Sequence, residues 1–587
     1  MEVRKAVNAR RWLTAVAGIG GGLFLLVVLA QPTGLLTMHP IEQLLFFGIA
    51  VTTPLAMRLC VEEDRNGQIS QLFTIAIVLQ PIAILAAGFA LILEPGLVAI
   101  GLASLWFIQT FLLAFYGLTR WLRRPVVTVE EICIDAGLLY VPISAVWLLA
   151  YCLDYALLSF DRIFVLLTAV HFTFISLGAL VIAGMVGREL YGSPRWRFYR
   201  RVAWALVISP LLVAVGITIS QYSSSLILEA GSVVLLAGSF LLLAMISFAR
   251  KTTYSRLSRL LILISTSALI VTMGLALGYS VGRLTGWWAL SLTQMIQWHG
   301  WLNAVAFTFC GLLAWNLIGP ISHIQPSGIP FSHIPWKWHM GPDFFQRING
   351  IDNSNALPPT GIVDNLMDYA RQNFDPGLIA PEITSFYEHT ADHELLVYPE
   401  WQPGFHFLAR IYKQLSRRIG QMNFPLSPDT YETHISSAIV PLKDELDGRQ
   451  RVRGWVRTYT KTKQAVYVAA YSSHAYEQCR YMNIAFPLPF GNLTSILRLE
   501  ALAKHPHSVL LTSYSQRCQD QGVYFASRLL DIRLPINETI SVFTSDTIYD
   551  GYPSDFPIGT IIAEHKMWLL GMHCLTLHYS IKPTANP

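Results

Sequence analysis

Apolar residues follow two rhythms along this chain. Up to about residue 319 they run in long blocks, and beyond it they alternate with polar residues over short stretches. Each block is about the 20 residues that a helix needs to cross a hydrocarbon core roughly 30 Å thick. There are ten: 12–30, 41–57, 72–93, 96–119, 132–152, 163–186, 202–219, 226–248, 257–281 and 291–318. The second is interrupted at Thr52-Thr53-Pro54, and Pro81 and Pro142 fall inside others. A bilayer helix tolerates such prolines when neighbours take up the freed carbonyls.

After Leu317 five prolines, Pro320, Pro326, Pro330, Pro335 and Pro342, end helical continuity. This linker echoes Ser322-His323 in Ser332-His333 and adds Trp336, Trp338 and His339. It reads as an interfacial segment with tryptophans at headgroup level, because its histidine spacing matches no closed zinc pattern. Further on, residues 405–421 put Phe407, Leu408, Ile411, Tyr412, Leu415 and Ile419 on one stripe, with Lys413, Arg417 and Arg418 off it. That is an amphipathic helix, expected to lay its stripe on a sheet. Strands are predicted over 434–442, 452–460, 465–472, 480–486, 493–499, 508–514, 522–526, 529–535, 539–544, 560–569 and 572–581. Their short connections favour hairpins and antiparallel pairing. The fold class is therefore a polytopic α-helical membrane domain of about ten transmembrane helices, then a soluble α+β domain dominated by antiparallel sheet. The expected divisions are 1–319, a linker at 320–345, and 346–587. Long antiparallel strands under a helix can enclose an apolar cavity or fill a solid docking core.

Composition agrees with a membrane chain. Of 587 residues 53% are hydrophobic and only 13% charged, against about 25% charged in ordinary soluble domains. This excludes a disordered chain and a wholly soluble one. Residues 1–319 hold 20 Lys+Arg and 13 Asp+Glu, and the remainder 22 and 24; neither half has the basic excess of a nucleic-acid binder. Lys and Arg near helix ends resist translocation. With a cytoplasmic N-terminus the inner loops carry 18 of them, including Arg10, Arg65, Arg120, Arg124, Arg188, Arg250 and Lys251, and the outer loops only Arg162 and Arg283. The expectation is a plasma (inner) membrane protein with N-terminus and C-terminal domain cytoplasmic. Arg10, Arg11 and Val28-Leu29-Ala30 also let the first segment be read as a cleaved signal.

Ionisable groups inside spans are candidates for function. They are His171, Glu229, and His299 with Asn303, the last two on one helix face. His171 and His299 each stand eight residues into their spans, about 12 Å deep at 1.5 Å per residue. Such a group could relay protons, hold a metal or bind a polar headgroup. The plainer reading is interhelical hydrogen bonding worth about 0.6–2 kcal/mol each. In the soluble part His389 and His393 stand at i and i+4 among carboxylates, a metal spacing if helical, but without the Glu of an H-E-x-x-H site. Seven cysteines without a C-x-x-C spacing read as reduced. No P-loop, G-x-G-x-x-G, G-x-S-x-G or kinase signature is present.

His171-Phe172, the run His299-Gly300-Trp301-Leu302-Asn303-Ala304, and Phe386-Tyr387-Glu388-His389-Thr390 together resemble the YndJ-like family of bacterial membrane proteins. The order of parts matches over nearly the whole chain. The resemblance implies this architecture and carries over no catalytic residue.

The leading expectation is a protein that binds or moves a small or amphiphilic, lipid-like molecule at His171, Glu229, His299 and Asn303. Two alternatives stay open: a membrane enzyme, metal-dependent or not, on a lipid-linked substrate, and a scaffold whose cytoplasmic domain recruits a partner. The bilayer is the one certain partner, nucleic acid is excluded, and the sequence names no cofactor, substrate or protein partner.

Overall fold

The computed structural model describes residues 3–34, 36–64, 67–124, 127–223, 225–247, 254–287, 290–323, 328–354, 358–427, 434–514 and 520–584. Arg65, Arg250, Lys251, Pro326 and Cys518 lie outside them. The chain divides into two compact units, Met1–Pro326 and Ser327–Pro587.

Among its described residues the first unit has ten helices long and apolar enough to cross a membrane: α1 (Ala6–Thr33), α2 (Pro40–Leu59), α3 (Gln71–Ile92), α4 (Leu97–Arg123), α5 (Val129–Cys152), α6 (Arg162–Leu190), α7 (Trp196–Tyr222), α8 (Ile227–Ser247), α9 (Arg256–Thr285) and α10 (Leu292–Ile318). Leu13, Leu44, Ile49, Phe73, Trp106 and Leu138 are buried between them. Yet their outer faces are apolar too, as with Ile75, Val78, Ile82, Leu85 and Phe89 on α3. A helix apolar all round suits a bilayer, where the exposed face meets lipid. Small residues set the close crossings: a Cβ on Gly117 would lie 2.7 Å from Leu138 Cβ, and one on Gly137 2.4 Å from the Ser176 carbonyl oxygen.

Three of these helices widen into π-helical turns, at Gly48–Thr52 in α2, Phe174–Leu180 in α6, and Met295–Gly300 and Leu302–Phe309 in α10. In α2 the cause is local. Pro54 has no N–H to give, and the hydroxyls of Thr52 and Thr53 both turn back to the Gly48 oxygen, at 2.7 and 2.9 Å.

The second unit is built on twelve strands: β1 (His393–Trp401), β2 (His434–Pro441), β3 (Arg453–Tyr459), β4 (Ala465–Tyr476), β5 (Cys479–Leu488), β6 (Gly491–Leu502), β7 (His505–Thr512), β8 (Gly522–Ala526), β9 (Asp531–Arg533), β10 (Ile536–Thr544), β11 (Ile561–Leu569) and β12 (Met572–Pro583). Their order is β5-β4-β3-β2-β1-β12-β11-β10-β7-β6-β8-β9, and β5 also pairs with β6. That last pairing closes ten strands into an antiparallel barrel, leaving β8 and β9 as a flap on β6. Closure removes the edges that a sheet this wide would expose. Eleven of the strands fall where alternation predicts them. β1 does not: it begins at His393 and carries Pro399, which weakens its strand signal.

Residues 358–388 close one end of the barrel. They include α11 (Pro381–Glu388), whose Ile383, Phe386 and Tyr387 are buried in the barrel's core cluster. α12 (His406–Ile419) follows β1 and crosses the other end. Here the expected orientation holds only in part: Tyr412 and Ile419 of the stripe are half-buried and pack inward. Ala409, Lys413 and Ser416 face inward, while Phe407, Leu408, Ile411 and Leu415 are 71%, 52%, 52% and 56% exposed. The inner face is held by Lys413 Nζ donating to the Phe424 oxygen and Tyr412 donating to the Met422 oxygen, both at 2.8 Å.

Candidate functional site

Within the helical unit the structure brings His171, His299 and Asn303 together. The two imidazoles stand 6.5 Å apart, centre to centre. His299 Nδ1 meets the Thr272 carbonyl oxygen at 3.0 Å, its Nε2 meets Asn303 Nδ2 at 3.2 Å, and Thr272 donates to Asn303 Oδ1 at 3.0 Å. His171 Nδ1 is bound to the Leu167 oxygen of its own helix at 2.7 Å. Glu229 belongs elsewhere. It pairs with Arg283 at 2.5 Å and accepts from Ser220 at 2.6 Å, and Arg283 stands eleven residues along α9 from Thr272, about 16 Å by helical rise.

A second polar centre had no sequence signal beyond its charges. Arg120 and Arg124 each reach Glu62, Glu131 and Asp135, at 2.6 to 3.1 Å, and Arg188 holds both oxygens of Glu131 at 2.7 and 2.8 Å. All six side chains are buried. Three guanidiniums facing three carboxylates make a neutral network. The three arginines count toward the positive inner loops, so a spacing rule sees them only as topology markers.

The barrel holds an interior cavity of about 500 Å³. Inward-facing residues alternate along each strand, as in Leu575, Leu577, Tyr579 and Ile581 on β12. Most of the wall is aliphatic or aromatic, and a short list of polar groups interrupts it. Arg457, 7% exposed, lies between the rings of Trp455 and Tyr467, 4.0 and 3.9 Å from their centres, and it is hydrogen-bonded to Tyr579. Glu538 is bound by His565 Nε2 at 2.7 Å and by the Ser495 hydroxyl. Burial alone would raise the Glu538 carboxyl. The His565 and Ser495 contacts outweigh it and hold it below the ordinary carboxylate range.

Because every pairing is antiparallel, the ends of β1, β3, β5, β7 and β11 gather at the end that α12 crosses. Leu408 of α12 lines the cavity and is also exposed. Around this mouth stand exposed Phe490 of the β5–β6 turn and Leu570 and Met572 of the β11–β12 turn. Trp336 and Trp338 pack on Phe490 at 4.8 and 5.1 Å. Basic residues share the rim: Arg410, Arg417 and Arg418 on an α12 without acidic residues, Lys337 beside the tryptophans, and Lys461 and Lys463 in the β3–β4 turn.

His389 and His393 do not share a helix face. α11 ends at Glu388 and β1 begins at His393, whose Nδ1 meets the His389 carbonyl oxygen at 3.0 Å. Among the described residues no group of three or more His, Cys, Asp or Glu is placed to hold a metal ion. His323 and His339 likewise bind separate carbonyl oxygens, of Arg188 and Arg418.

A family model described as YndJ-like protein matches residues 43–307. Over 509 residues the chain is 31% identical to a Bacillus subtilis (strain 168) protein described as uncharacterized membrane protein YndJ, covering 86% of this chain and 87% of that relative. No solved structure matches. The family match contains His171, Glu229, His299, Asn303 and the whole charge network.

Proposed function

This chain belongs to the YndJ-like family and is a multi-span integral membrane protein, and we propose that its barrel takes up a lipid-like amphiphile. The carrying observation is the barrel interior of about 500 Å³ with largely apolar walls. That volume lies within the roughly 300–1,000 Å³ of small-molecule sites. Entry is past Leu408, through a mouth rimmed by exposed apolar and basic side chains. A basic helix with an outward apolar face suits the surface of an anionic bilayer. The excess of Lys and Arg in alternate loops supports a barrel on the cytoplasmic side of the plasma membrane.

One observation favours a second reading, in which the bundle itself binds ligand at His171 and His299. π-helical turns often accompany functional sites, and they adjoin both histidines. The hydrogen bonds joining His299, Asn303 and Thr272 are satisfied within the group, which supports a packing role. Native mass spectrometry of the full-length protein in mild detergent separates the readings. The expected result is a bound amphiphile that disappears in Ala563→Trp, since Ala563 faces the cavity. An adduct that survives Ala563→Trp and is lost in His299→Ala would move the site to the bundle.

A further inference from the structure

The chemistry at the barrel wall narrows the amphiphile's class; this step rests on the barrel being the binding site. Two buried donors on β3 have no acceptor among the described residues. They are Arg457 Nε and Trp455 Nε1, on residues 7% and 4% exposed that both line the cavity. Standing at i and i+2, they project from the same face of the strand. No described carboxylate forms an ion pair with Arg457. Its charge rests against two aromatic rings and a tyrosine. The one carboxylate in the cavity wall among the described residues, Glu538, is already taken by His565 and Ser495. A buried donor left without an acceptor is costly, and a buried cation without a counter-ion more so.

We propose that the barrel's ligand carries an anionic, acceptor-rich head, a carboxylate or a phosphate monoester, held by the Arg457 guanidinium and the Trp455 indole N–H, with its tail along the aliphatic wall. A guanidinium matches both heads through paired N–H bonds. A neutral alcohol of equal tail length would offer one weak acceptor and leave the cation unmatched. An ammonium head would meet Arg457 as a like charge.

The test is a competition on the full-length protein in detergent, read by native mass spectrometry. Hexadecanoic acid, hexadecyl phosphate and hexadecanol are added in equal amounts. Either anion is expected to occupy the wild type at least about tenfold more than the alcohol, about 1.4 kcal/mol. Arg457→Met should abolish that preference while leaving alcohol occupancy within about twofold, and Trp455→Phe should reduce it while keeping the ring. Equal occupancy of acid and alcohol in the wild type overturns the head assignment and leaves the cavity reading intact. No occupancy by any of the three, or occupancy unchanged by Ala563→Trp, overturns the cavity reading itself.

Discussion

Glu131 is the hub of the buried charge network, and its removal has a calculable consequence. It accepts from Arg188 at 2.7 and 2.8 Å, from Arg120 at 2.8 Å and from Arg124 at 3.0 Å. Glu131→Gln keeps the shape and deletes the charge, leaving three guanidiniums against Glu62 and Asp135. Arg120 and Arg124 keep those two carboxylates, while among the described residues Arg188 keeps none. An uncompensated buried charge costs about 3–5 kcal/mol, a large part of a typical folding free energy of about 5–15 kcal/mol. Arg188→Met alone should cost a comparable amount, since it leaves one carboxylate in excess. The double variant restores two against two, so its loss should fall short of the summed single losses by about 2 kcal/mol or more. The assay is unfolding in mixed micelles of rising sodium dodecyl sulfate fraction, followed by helical circular dichroism. A Glu131→Gln variant within about 0.5 kcal/mol of wild type, or strict additivity in the double variant, would refute the network as a coupled unit.

Chain length should tune binding in the barrel. Each two-methylene extension of a bound acid should tighten it by about 1.6 kcal/mol, roughly 15-fold, until the interior is full. Calorimetric titration of a saturated acid series would show that slope and its plateau; affinity independent of length would exclude the apolar interior. In the bundle, His299→Ala removes contacts to Thr272 and Asn303 and should cost about 1–2 kcal/mol in the same micellar unfolding. His171→Ala, bound only within its own helix, should cost less, and the reverse ranking would contradict the geometry. His578 lies below its ordinary value because burial outweighs the pull of Glu400. The unfolded chain therefore takes its proton first, near pH 6.5, and stability falls as pH drops through that value toward the folded one. Melts between neutral and mildly acidic pH should fall more steeply in wild type than in His578→Phe, and parallel curves would rule out this linkage.

The helices and most strands were legible because burial in a bilayer and in a barrel each imposes a fixed period on apolar residues. Their pairing was not. The β5–β6 contact that closes the barrel joins neighbours as any hairpin does, so alternation alone cannot distinguish a closed ring from an open sheet. Equal depth placed His171 beside His299 correctly, because counting residues along a straight helix measures depth. The same count set Glu229 only three residues into its span, nearer one end than the histidines, and it stands there paired with Arg283. Arg457 and Trp455 were invisible as a site because a strand with inward Arg reads as ordinary alternation, and only the cavity shows that Arg457 Nε and Trp455 Nε1 meet no acceptor among the described residues.

The helix α12 shows most plainly what period alone leaves open. A stripe of Phe407, Leu408, Ile411 and Leu415 tells that one face is apolar and says nothing of what it faces. Fully burying such side chains is worth about 1.5–3 kcal/mol each. Leaving four of them half or more exposed therefore forgoes about 4 kcal/mol or more, comparable with the whole margin of a small domain. The opposite face explains why the helix does not turn over. Ala409 and Ser416 are small enough for a close crossing, and Lys413 holds its ammonium over the Tyr459 ring and on the Phe424 oxygen. Turning the helix would strand that ammonium and open gaps beneath it, so the outward stripe is specified by the inward residues. Arginines flank the stripe and exposed tryptophans stand near it, the pattern of a basic amphipathic helix whose apolar face recovers its burial on a partner surface rather than on its own sheet.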